Sequence, residues 1–135
     1  MLTRAEVTVF VRYQSQLPHQ RGIHVGVFGL ANGLAKAGKL SDSEWAAWRA
    51  GNDWFNQAYP DPSVSHPEVY DQAVNPHAAA WFKATASHLL ERVEPYLELL
   101  NRHEVRWVKL FEKDPGRIIY EDEVQVVVVP HEATK

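Results

Sequence analysis

The chain has 135 residues, of which 45% are hydrophobic and 23% charged, and its formal net charge is -3. A chain of this length is expected to form one domain, here residues 1–135, with a substantial core. The slightly acidic balance argues against general attraction to nucleic acid or anionic membranes. The absence of cysteine excludes disulfides, thiolate catalysis and cysteine-ligated metals.

The amino-terminal residues alternate between apolar and polar types, reading MLTRAEVTVFVRYQ. This pattern lacks the continuous apolar stretch of a signal peptide. No apolar run elsewhere is long enough to span a bilayer. We therefore expect a cytoplasmic protein with no membrane contact.

The chain begins with a predicted strand at residues 7–13, where side chains alternate with a period of two. A polar connection follows. Hydrophobic residues at helical spacing then predict a helix over residues 24–37 that ends at Gly38. Glycines also recur at helical spacing: Gly22, Gly26, Gly29 and Gly33. Because glycine has no side chain, we expect another backbone or a bound ligand to lie against this stripe.

The second helix has the clearest predicted start in the chain. Ser41 and Glu44 have the spacing of a capping box, and Leu40 and Trp45 can form a hydrophobic staple. Pro60 ends the helix at about residue 59.

One face of this helix is largely aromatic and predicts a core stripe of Trp45, Trp48, Asn52, Phe55 and Tyr59. Asn52 is the single amide in the stripe. If it is buried it must be hydrogen-bonded, and we expect its partner to be backbone. Trp54 lies on roughly the opposite side, where it is either a second packing contact or an exposed aromatic anchor for a partner or flat ligand.

The middle of the chain predicts a loop, a strand and a helix. Residues 60–77 contain four prolines and predict a long loop with one helical turn at 67–70. This loop is a candidate lid or binding loop, or an inert Ω-loop. Residues 79–83 predict a short strand and residues 86–103 a third helix. Pro95 either kinks this helix or divides it into two.

The strongest strand signal lies in residues 106–130. Two stretches rich in β-branched and aromatic residues flank Asp114-Pro115-Gly116, which predicts a β-hairpin. The apolar run from Val126 to Val129 predicts a central strand covered on both faces. Three successive carboxylates at residues 121–123 predict a bend between the stretches.

The order of these elements predicts an α+β fold, with a mainly antiparallel sheet of four to five strands and three helices packed against it. The number of strand-helix-strand units is too small for a doubly wound fold. Strand order and oligomeric state do not follow from the sequence.

The densest polar cluster joins the first strand to the first helix. Its candidate binding residues are Arg12, Ser15, His19, Arg21 and His24. Cationic side chains beside the unpaired N–H groups of a helix N-terminus favour an anion, such as phosphate, carboxylate or an acidic partner. The alternative is a solvated loop whose arginines pair with Glu121 and Glu123. We expect Arg12 to lie within ion-pair reach of one of these two carboxylates.

The sequence contains no strong catalytic motif of the P-loop, G-x-S-x-G or H-E-x-x-H type. None of its seven histidines is paired with another at the two- or four-residue spacing through which one element chelates a metal. We therefore expect neither a metal site nor a cofactor.

The carboxylate stretch Glu121-Asp122-Glu123, which enters Val124-Gln125-Val126, resembles the E-x-E motif of ADP-ribosyltransferases. The resemblance implies that Glu121 or Glu123 stabilises an oxocarbenium-like ribose and that Arg12 matches an arginine on the first strand. Ala84-Thr85-Ala86-Ser87 stands where this family has its Ser-Thr-Ser motif.

A second resemblance covers residues 81–130 and rests on Trp81-Phe82-Lys83, Pro115-Gly116 and Tyr120-Glu121-Asp122-Glu123 followed by Gln125-Val126. These segments are similar to small bacterial proteins without an assigned function. The resemblance implies a bacterial origin and no particular activity.

The sequence favours a cytoplasmic, non-enzymatic binding module that recognises a protein partner or a small anionic ligand, with an immunity or inhibitor-type protein as one form. Trp54 and the polar cluster would bind. The alternative is an enzyme acting on a nucleotide or glycosidic bond, with Glu121 or Glu123 catalytic. A concave pocket that combines the cluster with these carboxylates would favour the enzyme, and an exposed Trp54 would favour the module.

Overall fold

The structure, a computed structural model, describes residues 8–18 and 24–131. Its strands are Phe10–Ser15 (β1), Ala79–Lys83 (β2), Trp107–Glu112 (β3), Arg117–Glu121 (β4) and Gln125–Val129 (β5). Its helices are Val27–Lys36 (α1), Asp42–Ala58 (α2), Pro62–Ser65 (α3) and Ser87–Arg102 (α4). Of the strand predicted at residues 7–13, residue 7 falls outside the described residues, and the strand begins at Phe10 rather than before it.

The strands form one antiparallel sheet in the order β3-β1-β2-β5-β4. The predicted α+β fold with a mainly antiparallel sheet is confirmed, and the described residues contain one helix more than expected, the short α3. Strand β5 lies between β2 and β4, and Val126, Val127 and Val128 are fully buried. The prediction of a central strand is therefore confirmed.

The hairpin predicted around Asp114-Pro115-Gly116 is wrong. The strands on either side of this turn, β3 and β4, lie at opposite edges of the sheet. The hairpin that forms joins β4 to β5, with Glu121 opposite Val126. A proline-glycine turn predicts where the chain changes direction but not which strands pair. A strand that is apolar on both faces is typical of the interior of a sheet, with a strand on each side. Strands β2 and β4 take those positions beside β5.

The residues form two compact units, each described by itself. The first contains Met1–Arg12, Pro62–Ala86 and Leu110–Lys135. Its buried cluster consists of Phe10, Trp81, Val126 and Val128, with Ala79 and Leu110 packed against them. In the segment predicted as a long loop, α3 comes first and the expected turn at 67–70 follows, and Pro62 and Val69 are buried.

The second unit contains Tyr13–Asp61 and Ser87–Lys109. Its core joins α1, α2 and α4 through Val27, Ala31, Leu34, Phe55, Leu89, Val93, Tyr96, Leu97, Leu99 and Leu100. Phe28 packs edge-on against Phe55 and Tyr96, with ring centroids 4.7 and 5.1 Å apart. The expectation of a single domain stays a prediction.

The helix ends follow the sequence signals. Gly38 has the left-handed φ of 70° after α1, and the N–H of Lys39 donates to the carbonyl of Leu34. The predicted capping box starts α2, since Ser41 Oγ accepts from the N–H of Glu44 at 3.1 Å and the Glu44 side chain accepts from the N–H of Ser41 at 2.9 Å. Helix α4 is continuous through Pro95. None of the described helices is long and apolar enough to cross a lipid bilayer.

In the glycine stripe, Gly26 pairs with the backbone of Gln14, whereas at Gly29 and Gly33 the expectation of a neighbouring backbone is wrong. A Cβ at Gly33 would meet no atom within 4 Å, and one at Gly29 would meet the side chain of Val25, two residues before the helix. Both glycines are exposed because α1 packs through the opposite stripe of Val27, Ala31 and Leu34. Gly22 lies outside the described residues.

The aromatic stripe of α2 is less buried than predicted. Trp45 is 49% exposed and packs against Trp48 with tilted rings whose centroids are 5.7 Å apart. Phe55 is the buried residue of this helix. Two residues of the stripe, Trp48 and Phe55, line a surface groove.

Candidate functional site

A groove of about 470 Å³ follows the seam between α2 and α4, within the second unit. Along the seam, residues of increasing number on α2 contact residues of decreasing number on α4. The two helices are therefore antiparallel. The contacting pairs are Glu44 with Arg102, Asn52 with Tyr96, and Trp54 with Arg92.

The lining residues come from one stripe of each helix. From α2 they are Glu44, Ala47, Trp48, Ala50, Gly51, Trp54 and Phe55. From α4 they are Arg92, Pro95, Tyr96, Glu98, Leu99 and Arg102. Spacings of three and four residues place each set on one helix face. Each set extends over about three turns, which makes the seam about 15 Å long.

The floor of the groove depends on Gly51. A Cβ at this position would lie 2.9 Å from the hydroxyl oxygen of Tyr96. The two helices therefore approach each other closely here because residue 51 has no side chain. The close contact holds the two walls at a fixed separation.

A chain of side-chain hydrogen bonds lies beside this contact. The hydroxyl of Tyr96 donates to Asn52 Oδ1 at 2.6 Å, and Asn52 Nδ2 donates to Asn32 Oδ1 at 3.1 Å. Trp48 Nε1 donates to the same oxygen of Asn32 at 2.9 Å. Burial raises the pKa of Tyr96 to about 12, so its hydroxyl remains a donor at neutral pH. Asn52 is thus hydrogen-bonded as expected, to side chains rather than to backbone.

Trp54 and Arg92 form one end of the groove. The Arg92 guanidinium carbon lies 4.4 Å from the centroid of the Trp54 ring, within cation-π range. Trp54 also packs edge-on against Phe55 at 5.0 Å and is half-buried. Trp54 therefore makes the packing contact of the first alternative and also lines the groove, and its role as an anchor for a ligand stays a prediction.

Glu44 forms the other end and joins the start of α2 to the end of α4. Its two carboxylate oxygens accept from the backbone of Ser41, lie 3.0 Å from His103 Nε2 and accept from Arg102 Nε at 3.1 Å. The Ser41 N–H and the side chains of His103 and Arg102 lower the pKa of Glu44 from 4.5 to about 2, against the opposing effect of burial.

We expect Glu44→Gln to lower stability by an amount that depends on pH. A carboxylate whose pKa is lowered on folding stabilises the fold fully above about pH 4.5, and the contribution is lost as pH falls towards 2. The difference in unfolding free energy between wild type and variant should therefore shrink over this range. Urea denaturation followed by tryptophan fluorescence at pH 7, 4 and 2.5 measures it. Glu98→Gln, an exposed carboxylate change on α4, is the control, and a pH-independent Glu44 difference would contradict the assignment.

The predicted anion site is only partly described. His19 and Arg21 lie outside the described residues. Ser15 and His24 contact each other: His24 Nδ1 is 2.9 Å from the carbonyl of Ser15, and Ser15 Oγ accepts from the N–H of Val25 at 3.1 Å. These bonds close the connection between β1 and α1, which is a structural role. Their role in anion binding stays a prediction.

Arg12 lies in β1 and contacts the neighbouring strand β2. Its Nη1 donates to the carbonyl of Ala80 at 2.8 Å. Two strands, β2 and β5, separate β1 from β4, which places Arg12 and Glu121 about 14 Å apart along the sheet. Lys83 Nζ, from the intervening β2, pairs with Glu121 at 2.6 Å. Glu121 is thus paired with Lys83. The expected ion pair of Arg12 with Glu121 or Glu123 stays a prediction.

The carboxylate stretch is built around Asp122, its middle member. Asp122 Oδ1 accepts from the N–H groups of Val124 and Gln125, and Oδ2 accepts from the Tyr120 hydroxyl and Gln125 Nε2, all within 3.0 Å. Burial raises the pKa of Asp122, but these hydrogen bonds outweigh it and lower the pKa overall. Asp122 therefore shapes the β4–β5 turn. The flanking Glu121 and Glu123 are exposed.

A second groove, of about 460 Å³, lies at the carboxyl end of α4. Its walls include Trp107 and Asn101, whose side chains bond to each other because Trp107 Nε1 donates to Asn101 Oδ1 at 2.9 Å. Neither groove contains Glu121 or Glu123. Within the described ranges, no group of three or more His, Asp or Glu side chains is arranged to hold a metal ion.

Comparison with protein-family models, curated proteins and solved structures finds no match. The two resemblances drawn from sequence segments stay predictions. The geometry of the α2–α4 groove is the remaining indication of function.

Sequence reasoning identified Trp54 but missed Gly51, Tyr96 and Arg92. The usable signal was the glycine within an aromatic stripe, which marks a close helix contact. On α4, the spacing of Arg92, Pro95, Leu99 and Arg102 marks a second stripe. Its cationic ends make it look like the solvent face of an amphipathic helix.

Proposed function

We propose that the protein is a non-enzymatic binding module and that its ligand is a small molecule bound in the α2–α4 groove. The observation that supports this function is the groove itself. Its volume of about 470 Å³ lies within the roughly 300–1,000 Å³ typical of small-molecule sites. Its walls combine aromatic rings with a few polar groups, which is the usual composition of such sites.

The rigidity of the groove also supports ligand binding. The contact at Gly51 and the hydrogen bonds through Asn52 and Tyr96 fix the walls before a ligand arrives. A preformed site loses less conformational entropy on binding than one that must be ordered.

The alternative, an enzyme acting on a nucleotide or glycosidic bond, has less support. Its expected catalytic residues Glu121 and Glu123 are exposed and lie in neither groove. Glu121 pairs with Lys83. Asp122, which lies between the two glutamates in the sequence, accepts hydrogen bonds within the β4–β5 turn. We also propose that this binding module is cytoplasmic and of bacterial origin, as expected from the sequence.

The proposal is tested by blocking the groove. A thermal-shift screen of wild type against nucleotides, NAD, phosphosugars and apolar carboxylates and alcohols identifies ligands, since a ligand at a hundred times its Kd stabilises by about 2.7 kcal/mol. Each hit is repeated on Ala47→Trp, which fills the groove from α2. Ala46→Trp is the matched control because Ala46 is exposed on the same helix and does not line the groove.

We expect the thermal shift to disappear in Ala47→Trp and to persist in Ala46→Trp. Hits that behave identically in both variants bind elsewhere. A screen in which no compound depends on residue 47 would contradict a small-molecule module and would favour a protein partner, the other form of binding expected from the sequence.

A further inference from the structure

The two ends of the α2–α4 groove differ in the state of their arginines. Arg102 is paired with Glu44 at 3.1 Å. Arg92 stacks over Trp54, and no carboxylate of residues 8–18 or 24–131 lies within ion-pair distance of it. A guanidinium held over an aromatic face still directs N–H donors outward in a planar fork that matches a carboxylate. The charge of Arg102 is therefore neutralised at one end of the groove, and Arg92 at the other end can bind an anion.

The surface between these ends is apolar and long. Ala47, Pro95 and Leu99 line its middle part, and the whole seam from Arg92 to Arg102 is about 15 Å long. A ligand that covers this length needs an elongated apolar body, because polar atoms placed there would lose their water without gaining partners. Glu98 is exposed on the rim towards the Arg102 end, where its charge opposes a second anionic group.

We infer that the ligand is an elongated apolar monocarboxylate whose head group binds Arg92 and whose apolar body follows the seam towards Leu99. This inference rests on the proposed function and adds the chemical class and orientation of the ligand. The elongated shape of the groove favours a ligand with an extended apolar chain over a compact ring system. Because Arg102 is paired and Arg92, among the described residues, is not, the carboxylate is expected at the Arg92 end.

Calorimetric titration of the wild-type protein with hexanoate, octanoate and decanoate, and with the matching 1-alkanols, tests the chemical class. We expect each added methylene to tighten binding about three- to four-fold while the chain fits the groove. Each alkanoate should bind about tenfold more tightly than its alkanol, because charge-assisted hydrogen bonds to arginine exceed those to a hydroxyl.

Variants at Arg92 test the orientation. Arg92→Leu should remove the preference for carboxylate over alcohol and leave the alkanol affinity unchanged within about twofold. Arg92→Lys should keep part of the preference, since it retains the charge and loses the planar fork. Arg49→Leu is the matched control: Arg49 also stacks on a tryptophan, 5.1 Å from the Trp48 centroid, but it pairs with Asp53 and lies outside the groove.

The outcomes separate this inference from the proposed function. Equal affinities for alkanoate and alkanol, or a preference that survives in Arg92→Leu, would overturn the inference and leave the groove as a binding site. The same holds if no alkanoate binds while another compound binds in a manner lost in Ala47→Trp. If Ala47→Trp weakens the binding of no compound, both the proposed function and this inference are wrong.

Discussion

Gly116→Ala should destabilise the protein by about 2–4 kcal/mol. Gly116 precedes β4 and has a φ of 155°, a conformation that residues with a side chain rarely adopt. A Cβ there would also overlap the backbone carbonyl of Val129, at the end of the neighbouring β5. Neither backbone can retreat without breaking the β4–β5 pairing, in which Arg117 lies opposite Val129. Chemical denaturation monitored by tryptophan fluorescence gives the change in unfolding free energy.

Gly33→Ala is the control for this prediction and should have the opposite sign. Gly33 lies inside α1, and a Cβ there would meet no atom within 4 Å. Glycine costs a helix interior about 1 kcal/mol relative to alanine, so the control should be stabilising by up to that amount. If both variants lose stability equally, the effect at residue 116 has no special conformational origin.

Asn52→Leu should destabilise the protein by about 1–3 kcal/mol, the cost of leaving partly buried polar groups without partners. The change removes the acceptor of the Tyr96 hydroxyl and the donor to Asn32. Because leucine has the same number of side-chain heavy atoms with the same branching, the loss reports hydrogen bonding more than packing. The matched control is Asn56→Leu, an exposed position one turn later on α2, which should change stability little.

A second variant separates the two hydrogen bonds of Asn52. Tyr96→Phe removes only the hydroxyl, so the double variant with Asn52→Leu should lose less than the sum of the two single variants. Strict additivity would show that the 2.6 Å contact contributes nothing to stability.

The sequence predicted which residues form helices and strands better than it predicted how the strands pair. Capping at Ser41, the stop at Gly38 and the strand at Ala79–Lys83 depend on neighbouring residues, so local patterns were sufficient. The pairing of β5 with β2 brings Trp81 opposite Val126, across 45 residues of chain. No local pattern contains that information.

The candidate site was predictable on one helix and not on the other. Trp54 was identifiable because a tryptophan on the second face of a helix requires an explanation. Arg92 gave no such signal, because an exposed arginine on an amphipathic helix is ordinary until a partner helix places an aromatic ring beneath it. The groove is a property of the α2–α4 pair, and neither helix shows it alone.

The position of β5 within the sheet has a consequence for folding during synthesis. The ribosome makes β5 last of the five strands, yet β5 lies between β2 and β4 and is the most completely buried of them. Until residue 129 has emerged, β2 exposes an open edge and β4 has no neighbour on which to form. Apart from the β4–β5 hairpin, the described pairings join distant parts of the chain, such as Phe10 with Lys83. Such high contact order slows folding, so the sheet should assemble after the helices and close in a single late step.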